Sequence, residues 1–280
     1  MKTVLLLFAL FVFVIVALFA VSERTWTRRT AEAVAELDRA AAAPPESAFA
    51  PAMLDSLPPP VARYLRAVLR DGTPLVRHAV LKQEGMFRGD LVQPGEWAFD
   101  AVQHFDANPP GFVWDARMHL APMLDVFVRD ALVGGQASMR GRVAGMFPMV
   151  DAGDDAQLDV AAAQRWLAET AWFPTALLPG QGVTWTALDD STARATVGSG
   201  ALTARLDFHF GPDSLVTSVF SPDRGRAVGG SIVPTPWRGR WSGWQWRDGM
   251  RVPGYGEVAW ELVSGPVTYW RGTVVDATYE

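Results

Sequence analysis

Residues 97–119 read WAFDAVQHFDANPPGFVWDARMH, and this stretch decides the fold. Apolar and polar residues alternate on both sides of the Asn-Pro-Pro-Gly turn, with the period of two that half-buried strands show. Trp97, Phe99 and Phe105 share one face of the first strand with Gln103. Because the connection is short, the two strands are predicted to pair antiparallel.

The same alternation extends outward in both directions. It predicts further strands over 80–87, 124–132, 139–147, 183–188, 192–197, 202–210, 215–220, 239–246, 257–263 and 268–279. A helix is predicted between the two blocks, from about residue 157 to residue 171, because Pro174 must end it nearby. The predicted fold class is mainly β with a few helices (α+β). It is a large curved antiparallel sheet or half-barrel with a helix across it, plus an N-terminal transmembrane helix.

Residues 4–21 form an unbroken apolar run, VLLLFALFVFVIVALFAV, without charge, proline or glycine. In a helix this run spans about 27 Å, close to the hydrocarbon thickness of a bilayer. Residues 1–22 are therefore predicted to be a transmembrane anchor or a signal segment, and Ala20-Val21-Ser22 is an acceptable cleavage site. The run exceeds the usual length of a signal h-region, which favours an uncleaved anchor in the inner membrane.

Charge and composition point to different sides of that membrane. Arg24, Arg28 and Arg29 follow the apolar run, and a strict positive-inside count keeps the body in the cytoplasm. A long domain is translocated regardless of a modest charge bias, however, and the tryptophan-rich β body resembles envelope proteins. We therefore expect an extracytoplasmic main domain.

Composition divides the rest of the chain into three parts. Residues 23–43, rich in Ala, Glu and Arg, are predicted to be a helical stalk, and residues 44–59 a proline-rich linker of extended polyproline character. Residues 60–280 are predicted to be a single β-rich domain that begins with a helix at Pro60. The chain has 25 Lys+Arg against 30 Asp+Glu, so no nucleic-acid partner is expected.

No motif in the sequence names a reaction. The histidines show no metal-ligand spacing, and neither a G-x-S-x-G elbow nor a phosphate-binding glycine loop occurs. The absence of cysteine rules out disulfides, thiolate catalysis and cysteine-type zinc sites. No catalytic residue, metal site or cofactor is therefore predicted.

Tryptophan is abundant, with twelve in the chain, and it is concentrated near the C-terminus. Such residues serve large cores, apolar ligand cavities or membrane interfaces. Around residues 234–246 one interpretation is contact with lipid headgroups or a partner. The other makes Trp244 and Trp246 part of a half-buried strand and leaves Trp237 and Trp241 partly exposed.

Residues 166–179, WLAETAWFPTALLP, are the most distinctive local string. A helix ends there beside an apolar cluster that lies between two prolines. The cluster either covers an apolar cavity, with Glu169 as its polar group, or packs into the core as a helix C-terminus.

Asp130 lies on an apolar strand face and must be paired, protonated or near the strand end. Arg117 and Arg140 on neighbouring strands are its candidate partners. Phe127 lies on the strand face opposite Asp130, so the two are not both expected to face one ligand. The candidate ligand contacts are Trp114, Phe127, Trp166, Trp172, Phe173 and Leu177, with polar contacts from Arg117, Asp130 and Glu169.

Several strings, taken in order, resemble one bacterial family of unknown function whose members are often preceded by membrane helices. They are Leu57-Pro58, Arg63-Tyr64-Leu65, Gly111-Phe112-Val113-Trp114-Asp115-Ala116-Arg117, Trp172-Phe173-Pro174-Thr175-Ala176-Leu177-Leu178-Pro179, Pro236-Trp237, Glu257-Val258-Ala259-Trp260 and Tyr269-Trp270-Arg271. The resemblance covers about residues 57–279 and implies one continuous domain. The family has no assigned catalytic residues. The predicted architecture is also similar to the open half-barrels of lipoprotein carriers.

These observations favour a membrane-tethered bacterial envelope protein that binds an apolar ligand, such as a lipid or acyl chain, in a concave sheet. Tethering would occur through residues 4–21. One alternative is a hydrolase-like enzyme that uses Glu169 and Asp130 in a cleft. The other is an interaction module whose tryptophan-rich C-terminal region docks a protein partner that the sequence does not identify.

Overall fold

The structure is a computed structural model that describes residues 2–41, 48–89, 95–122, 124–199 and 202–280. Its helices are α1 (Lys2–Ala40), α2 (Pro59–Val68) and α3 (Ala156–Glu169). Its strands are β1 (His78–Phe87), β2 (Trp97–Asp106), β3 (Gly111–Ala121), β4 (Leu124–Val133), β5 (Gln136–Val143), β6 (Phe147–Gly153), β7 (Val183–Ala187), β8 (Thr192–Ser199), β9 (Leu202–Phe210), β10 (Val216–Val228), β11 (Ser231–Arg247), β12 (Met250–Leu262) and β13 (Gly265–Tyr279).

The described strands form one sheet in the order β6-β5-β4-β3-β2-β1-β13-β12-β11-β10-β9-β8-β7. Every neighbouring pair is antiparallel. The first six strands meander to one edge, and the last seven return from the other. Helix α3 follows the edge strand β6 and contacts β9 and β10 on one half and β4 and β5 on the other. The predicted fold class is confirmed.

The sheet is strongly curved. The turn between β4 and β5 reaches β9, on the opposite half of the sheet. A Cβ added to Gly135 would lie 3.2 Å from Leu202 Cδ2. This contact between the two halves makes the face under α3 concave.

The thirteen strands exceed the predicted eleven or twelve because β6 lacks the alternating pattern. Phe147 and Met149 are both exposed, and the acidic run over 151–155 follows them. Only the end of that run belongs to the helix start. Asp155 caps α3 by accepting hydrogen bonds from the backbone N–H groups of Gln157 and Leu158, at 2.7 and 3.3 Å.

Helix α1 continues without a break past residue 22, and its second half packs on the convex face of the sheet. Trp26 and Leu37 are buried there, and Leu37 contacts Val113 and Ala131. The residues of the predicted helical stalk over 23–43 are helical as far as Ala40, and their apolar side chains pack on the sheet. The domain boundaries themselves remain a prediction.

The predicted linker over 44–59 lies partly outside the described residues. Its second part is folded: residues Pro51–Leu54 form a 3-10 helix, and Phe49 and Leu54 are buried in the main core. An extended polyproline segment is therefore not observed over 48–58. Helix α2 begins with prolines, as predicted, and buries Tyr64 and Leu65 completely.

Candidate functional site

Residues 170–179 follow α3 and fill one part of the concave face; we call them the post-helix segment. Trp172, Phe173 and Leu177 of this segment are fully buried, as is Trp166 at the end of α3. Phe173 packs on Phe105 with ring centroids 4.8 Å apart. Of the two interpretations of this string, the structure matches the helix C-terminus that packs into the core.

A second part of the concave face, under α3, is open and forms a cavity of about 1130 Å³. Six tryptophans line it: Trp97, Trp114, Trp237, Trp241, Trp260 and Trp270. Helix α3 contributes three alanines to the lining, Ala161, Ala162 and Ala168, together with Leu158, Arg165 and Glu169. The aromatic walls and the alanines of the helix together leave room for a ligand.

Three of the predicted site residues, Trp114, Asp130 and Glu169, line this cavity. Arg117 does not, because it lies on the convex face, where its guanidinium pairs with Glu23 at 2.5 Å. Phe127 lies on the same convex face and packs on Trp26, with ring centroids 5.8 Å apart. The expected conflict between Phe127 and Asp130 is thus resolved in favour of Asp130.

The partner of Asp130 is Arg165 of α3, not Arg117 or Arg140. Arg165 bridges two carboxylates, with Nη1 2.5 Å from Asp130 Oδ2 and Nε 3.0 Å from Glu169 Oε1. Its guanidinium also lies over the rings of Phe112 and Trp114, at 4.9 and 5.1 Å. Sequence reasoning missed Arg165, although its i, i+4 spacing from Glu169 on the helix is a signal that could have found it.

This ion cluster continues into a hydrogen-bonded chain on the sheet. Gln103 Nε2 donates to Glu169 Oε2 at 2.8 Å, and Gln83 Nε2 donates to Gln103 Oε1 at 3.2 Å. Trp114 Nε1 donates to Gln83 Oε1 at 2.9 Å. Gln83 was missed by sequence reasoning, although it shares the inward face of β1. Both buried glutamines find their hydrogen-bond partners within the protein.

Burial and ion pairing act in opposite directions on the pKa values of Glu169 and Arg165. Burial raises the pKa of the Glu169 carboxyl, while Arg165 and the Gln103 amide oppose the shift. Burial also opposes the charge on Arg165, but Glu169 and Asp130 hold the pKa of the guanidinium above its ordinary value. Each Glu169 oxygen already has a protein partner. The enzyme alternative therefore stays an untested prediction that would require this cluster to open.

A different pair of cations faces the cavity from β10. The guanidinium carbons of Arg224 and Arg226 lie 5.4 and 5.9 Å from the centroid of the same Trp260 ring. Arg224 donates to the Ala161 carbonyl at 3.2 Å, and its buried Nε has no hydrogen-bond partner. Among the described residues neither arginine forms an ion pair.

Each of the four acids that line the cavity already has a partner within the protein. Asp130 and Glu169 pair with Arg165, Asp151 pairs with Arg140 at 3.1 Å, and Asp155 caps α3. Arg224 and Arg226 are thus the charged groups of the lining that remain available to a ligand.

The tryptophan-rich C-terminal region lines the cavity and forms much of its wall. Trp237 and Trp241 are buried and Trp246 is exposed, which reverses the prediction for these three, whereas Trp244 is half-buried, as predicted. Gly243, at a φ of 68°, is left out of the pairing between Ser242↔Tyr255 and Trp244↔Pro253. The register is the same on both sides of Gly243, so no residue is inserted into the strand there. The exposed patch required by the interaction-module alternative is not formed by Trp237 and Trp241.

Asp38, His78 and Asp106 offer ligand atoms that lie within 4.8 Å of one another, and in the described residues this is the group with cation-binding geometry. His78 Nδ1 lies 2.5 Å from Asp106 Oδ1 and 3.8 Å from Asp38 Oδ1. Burial raises the pKa of Asp106 to about 6, and His78 opposes that shift. The group joins the C-terminal part of α1 to β1 and β2, at a distance from the cavity lining.

Within the described residues, α1 is the one helix that is long and apolar enough to span a membrane, a test that a signal sequence also passes. None of the apolar side chains described over residues 4–21 is buried. The helix is thus either an anchor or a signal segment.

Two solved structures share the general arrangement. One is an outer membrane lipoprotein-sorting protein domain from Vibrio parahaemolyticus, with 6% identity, 72% of this chain and 85% of that chain covered, and a TM-score of 0.38. The other is a LolA superfamily protein from Nitrosomonas europaea, with 9% identity, 79% and 92% covered, and a TM-score of 0.40. At these values the likeness carries no argument about function.

Comparison with curated proteins gives no match. The family model for DUF6544, a family of unknown function, matches residues 47–272, which is more than half of the chain and includes the post-helix segment and both cavity walls. The family resemblance seen in the sequence is therefore confirmed, and the chain belongs to DUF6544.

Proposed function

We propose that this protein is a membrane-tethered envelope protein that binds a lipid or acyl chain in the cavity under α3. The observation that carries the proposal is the cavity of about 1130 Å³ with six tryptophans in its wall. Ligand sites are typically about 300–1,000 Å³, mostly apolar, with few polar groups. A cavity slightly larger than that range suits a long, flexible apolar molecule.

The charges in the lining indicate the kind of lipid. The Arg165 cluster is neutralised internally, whereas Arg224 and Arg226 have no anionic partner among the described residues. Guanidinium groups bind phosphate and carboxylate through paired hydrogen bonds. We infer that the ligand is an anionic amphiphile whose headgroup contacts Arg224 and Arg226 and whose chains lie against the tryptophans.

Tethering and an extracytoplasmic location complete the proposal. The apolar half of α1 supplies a membrane-spanning length, and its described side chains stay exposed instead of packing on the domain. A carrier held beside a bilayer meets its ligand there, which favours the anchor over the signal segment. A fusion of alkaline phosphatase to residue 280 tests the side, since that reporter is active only outside the cytoplasm.

Native mass spectrometry of the full chain, released from nonionic detergent micelles, tests ligand binding. We expect a stoichiometric mass excess that extracts into organic solvent and is identified as a lipid. Ala161→Phe fills the cavity and should remove the excess, whereas Val275→Phe, at an exposed site on β13, should retain it. A bare polypeptide mass for the native chain after incubation with phosphatidylglycerol would overturn the proposal.

A matched pair of charge changes tests the headgroup. Arg226→Gln should reduce the preference for phosphatidylglycerol over phosphatidylcholine in the same spectra, because the unpaired cation is lost. Arg66→Gln makes the same charge change at an exposed position on α2 and should leave the preference unchanged. Equal binding of both lipids by the native chain would contradict the contact of an anionic headgroup with Arg224 and Arg226. It would leave the proposed binding of the apolar chains unaffected.

A further inference from the structure

The position of α1 on the domain fixes where the cavity opens relative to the membrane. From Glu23 onward the helix is fastened to the convex face of β3 and β4. Trp26 Nε1 donates to Asp115 at 2.8 Å, Arg129 donates to Thr30 at 3.1 Å, and Leu37 contacts Val113. The direction in which residues 4–21 leave the domain is therefore set by these contacts.

The helix leaves the sheet beside the turn between β5 and β6. A Cβ added to Gly145 would lie 2.7 Å from Ser22 Oγ, so the turn touches the first residue after the apolar run. Phe147 follows Gly145 by two residues, which limits its Cα to about 7–8 Å from that glycine. The start of β6 thus lies close to the C-terminal end of the apolar run, where α1 meets the domain.

The start of β6 exposes large apolar side chains at this level. Phe147 is 64% exposed and Met149 is 45% exposed. Met149 also lines the cavity, together with Val150 and Ala152 of the same edge strand. Strand β6 therefore runs from the end of the apolar part of α1 to the lining of the cavity.

We propose that the β6 side of the cavity mouth rests in the bilayer surface, with Phe147 inserted, and that the ligand enters the cavity directly from the membrane. The occupant of this apolar edge is the lipid bilayer, because the edge continues the apolar surface of α1. This inference rests on the proposed function for the nature of the ligand, and on the contacts of Ser22 and Gly145 for the place of entry.

Spin labels measure the depth of Phe147 in the full chain, reconstituted into nanodiscs of phosphatidylethanolamine and phosphatidylglycerol. The chain has no cysteine, so single-cysteine variants are specific. Leu10→Cys reports the bilayer interior, and Glu36→Cys reports water, about 21 Å farther along α1 than Ser22. We expect the label at Phe147→Cys to favour oxygen over a nickel chelate, between these two references. A label at Phe147 with the same accessibility as the label at Glu36 overturns the docking.

Loading from vesicles tests the entry route. Phe147→Asp should slow several-fold the transfer of fluorescent phosphatidylglycerol from vesicles to the full chain. It should leave unchanged the amount bound when the lipid is supplied in micelles, because Phe147 is not part of the cavity lining. Equal vesicle rates for the native chain and this variant overturn entry at β6. Loss of binding from micelles in the native chain would instead overturn the proposed function, while the label depth still decides the docking.

Discussion

The two parts of the concave face are made of similar residues and differ in what α3 and its continuation place over them. The post-helix segment brings Trp172, Phe173 and Leu177 onto the sheet, and that part is filled. Helix α3 presents Ala161, Ala162 and Ala168 to the cavity, beside Leu158, Arg165 and Glu169, and that part stays open. The difference teaches that α3 and the segment after it decide which part is filled, since both sheet regions are aromatic.

A matched pair of truncations should show the largest contrast between the two parts. Phe173→Ala removes a fully buried ring and should lower the free energy of unfolding by about 3–5 kcal/mol. Phe87→Ala removes a half-buried ring from the cavity wall and should cost about 1 kcal/mol. Urea unfolding of the full chain in nonionic micelles measures both. Equal costs would mean that the cavity is packed as tightly as the filled part.

Arg165 should stabilise the cavity wall through its charge, because it neutralises Asp130 and Glu169. Arg165→Met leaves Asp130 and Glu169 buried without a cation, which should cost about 3–5 kcal/mol. Adding Asp130→Leu and Glu169→Leu to the same chain should recover much of that loss, because the uncompensated charges are removed. A single variant as stable as the native chain would show that the carboxylates are hydrated from the cavity.

Replacing one alanine by leucine in each part of the concave face tests whether the cavity is open in solution. Ala171→Leu, in the filled part, should lower the free energy of unfolding by about 1–3 kcal/mol through overpacking. Ala162→Leu, facing the cavity, should change it by less than about 1 kcal/mol. Thermal unfolding of the two variants side by side gives the answer. A destabilised Ala162→Leu would argue that the cavity closes in solution.

The last expected effect concerns pH and lies outside both parts, at Asp106. Burial raises its folded pKa to about 6, above the ordinary value of 3.8, so the folded protein holds the proton more tightly than the unfolded chain. Stability should therefore decrease as pH rises from about 4 to 6 and then level off, because the folded protein releases this proton at a higher pH than the unfolded chain does. Asp106→Asn should lose this slope in thermal unfolding between pH 4 and 7. An unchanged slope would assign the pH dependence to other groups.

Much of the sheet was predictable because one buried face imposes a period of two on each strand. β2, β3 and β9 show it plainly, whereas β6 does not, because it is an edge strand with exposed apolar residues.

The site was harder to predict than the sheet, because it depends on contacts between distant segments. The pairing of Asp130 with Arg165 joins β4 to α3, and no local pattern encodes it. The string of residues 166–179 attracted attention through its aromatic content, but the same content serves a filled core. Arg224 and Arg226 were missed because predicted strand β10 ended at residue 220, before either of them.

Photo-crosslinking is the most direct test of the central claim that the cavity holds a lipid. The full chain in nanodiscs is irradiated with phosphatidylglycerol that carries a diazirine in its acyl chain, and the labelled peptides are identified by mass spectrometry. We predict labels on peptides from β10 to β13 that contain Trp237, Trp241, Trp260 or Trp270, and their loss in Ala161→Phe. Labels confined to residues 4–21 would contradict the account, because any membrane-spanning helix acquires them.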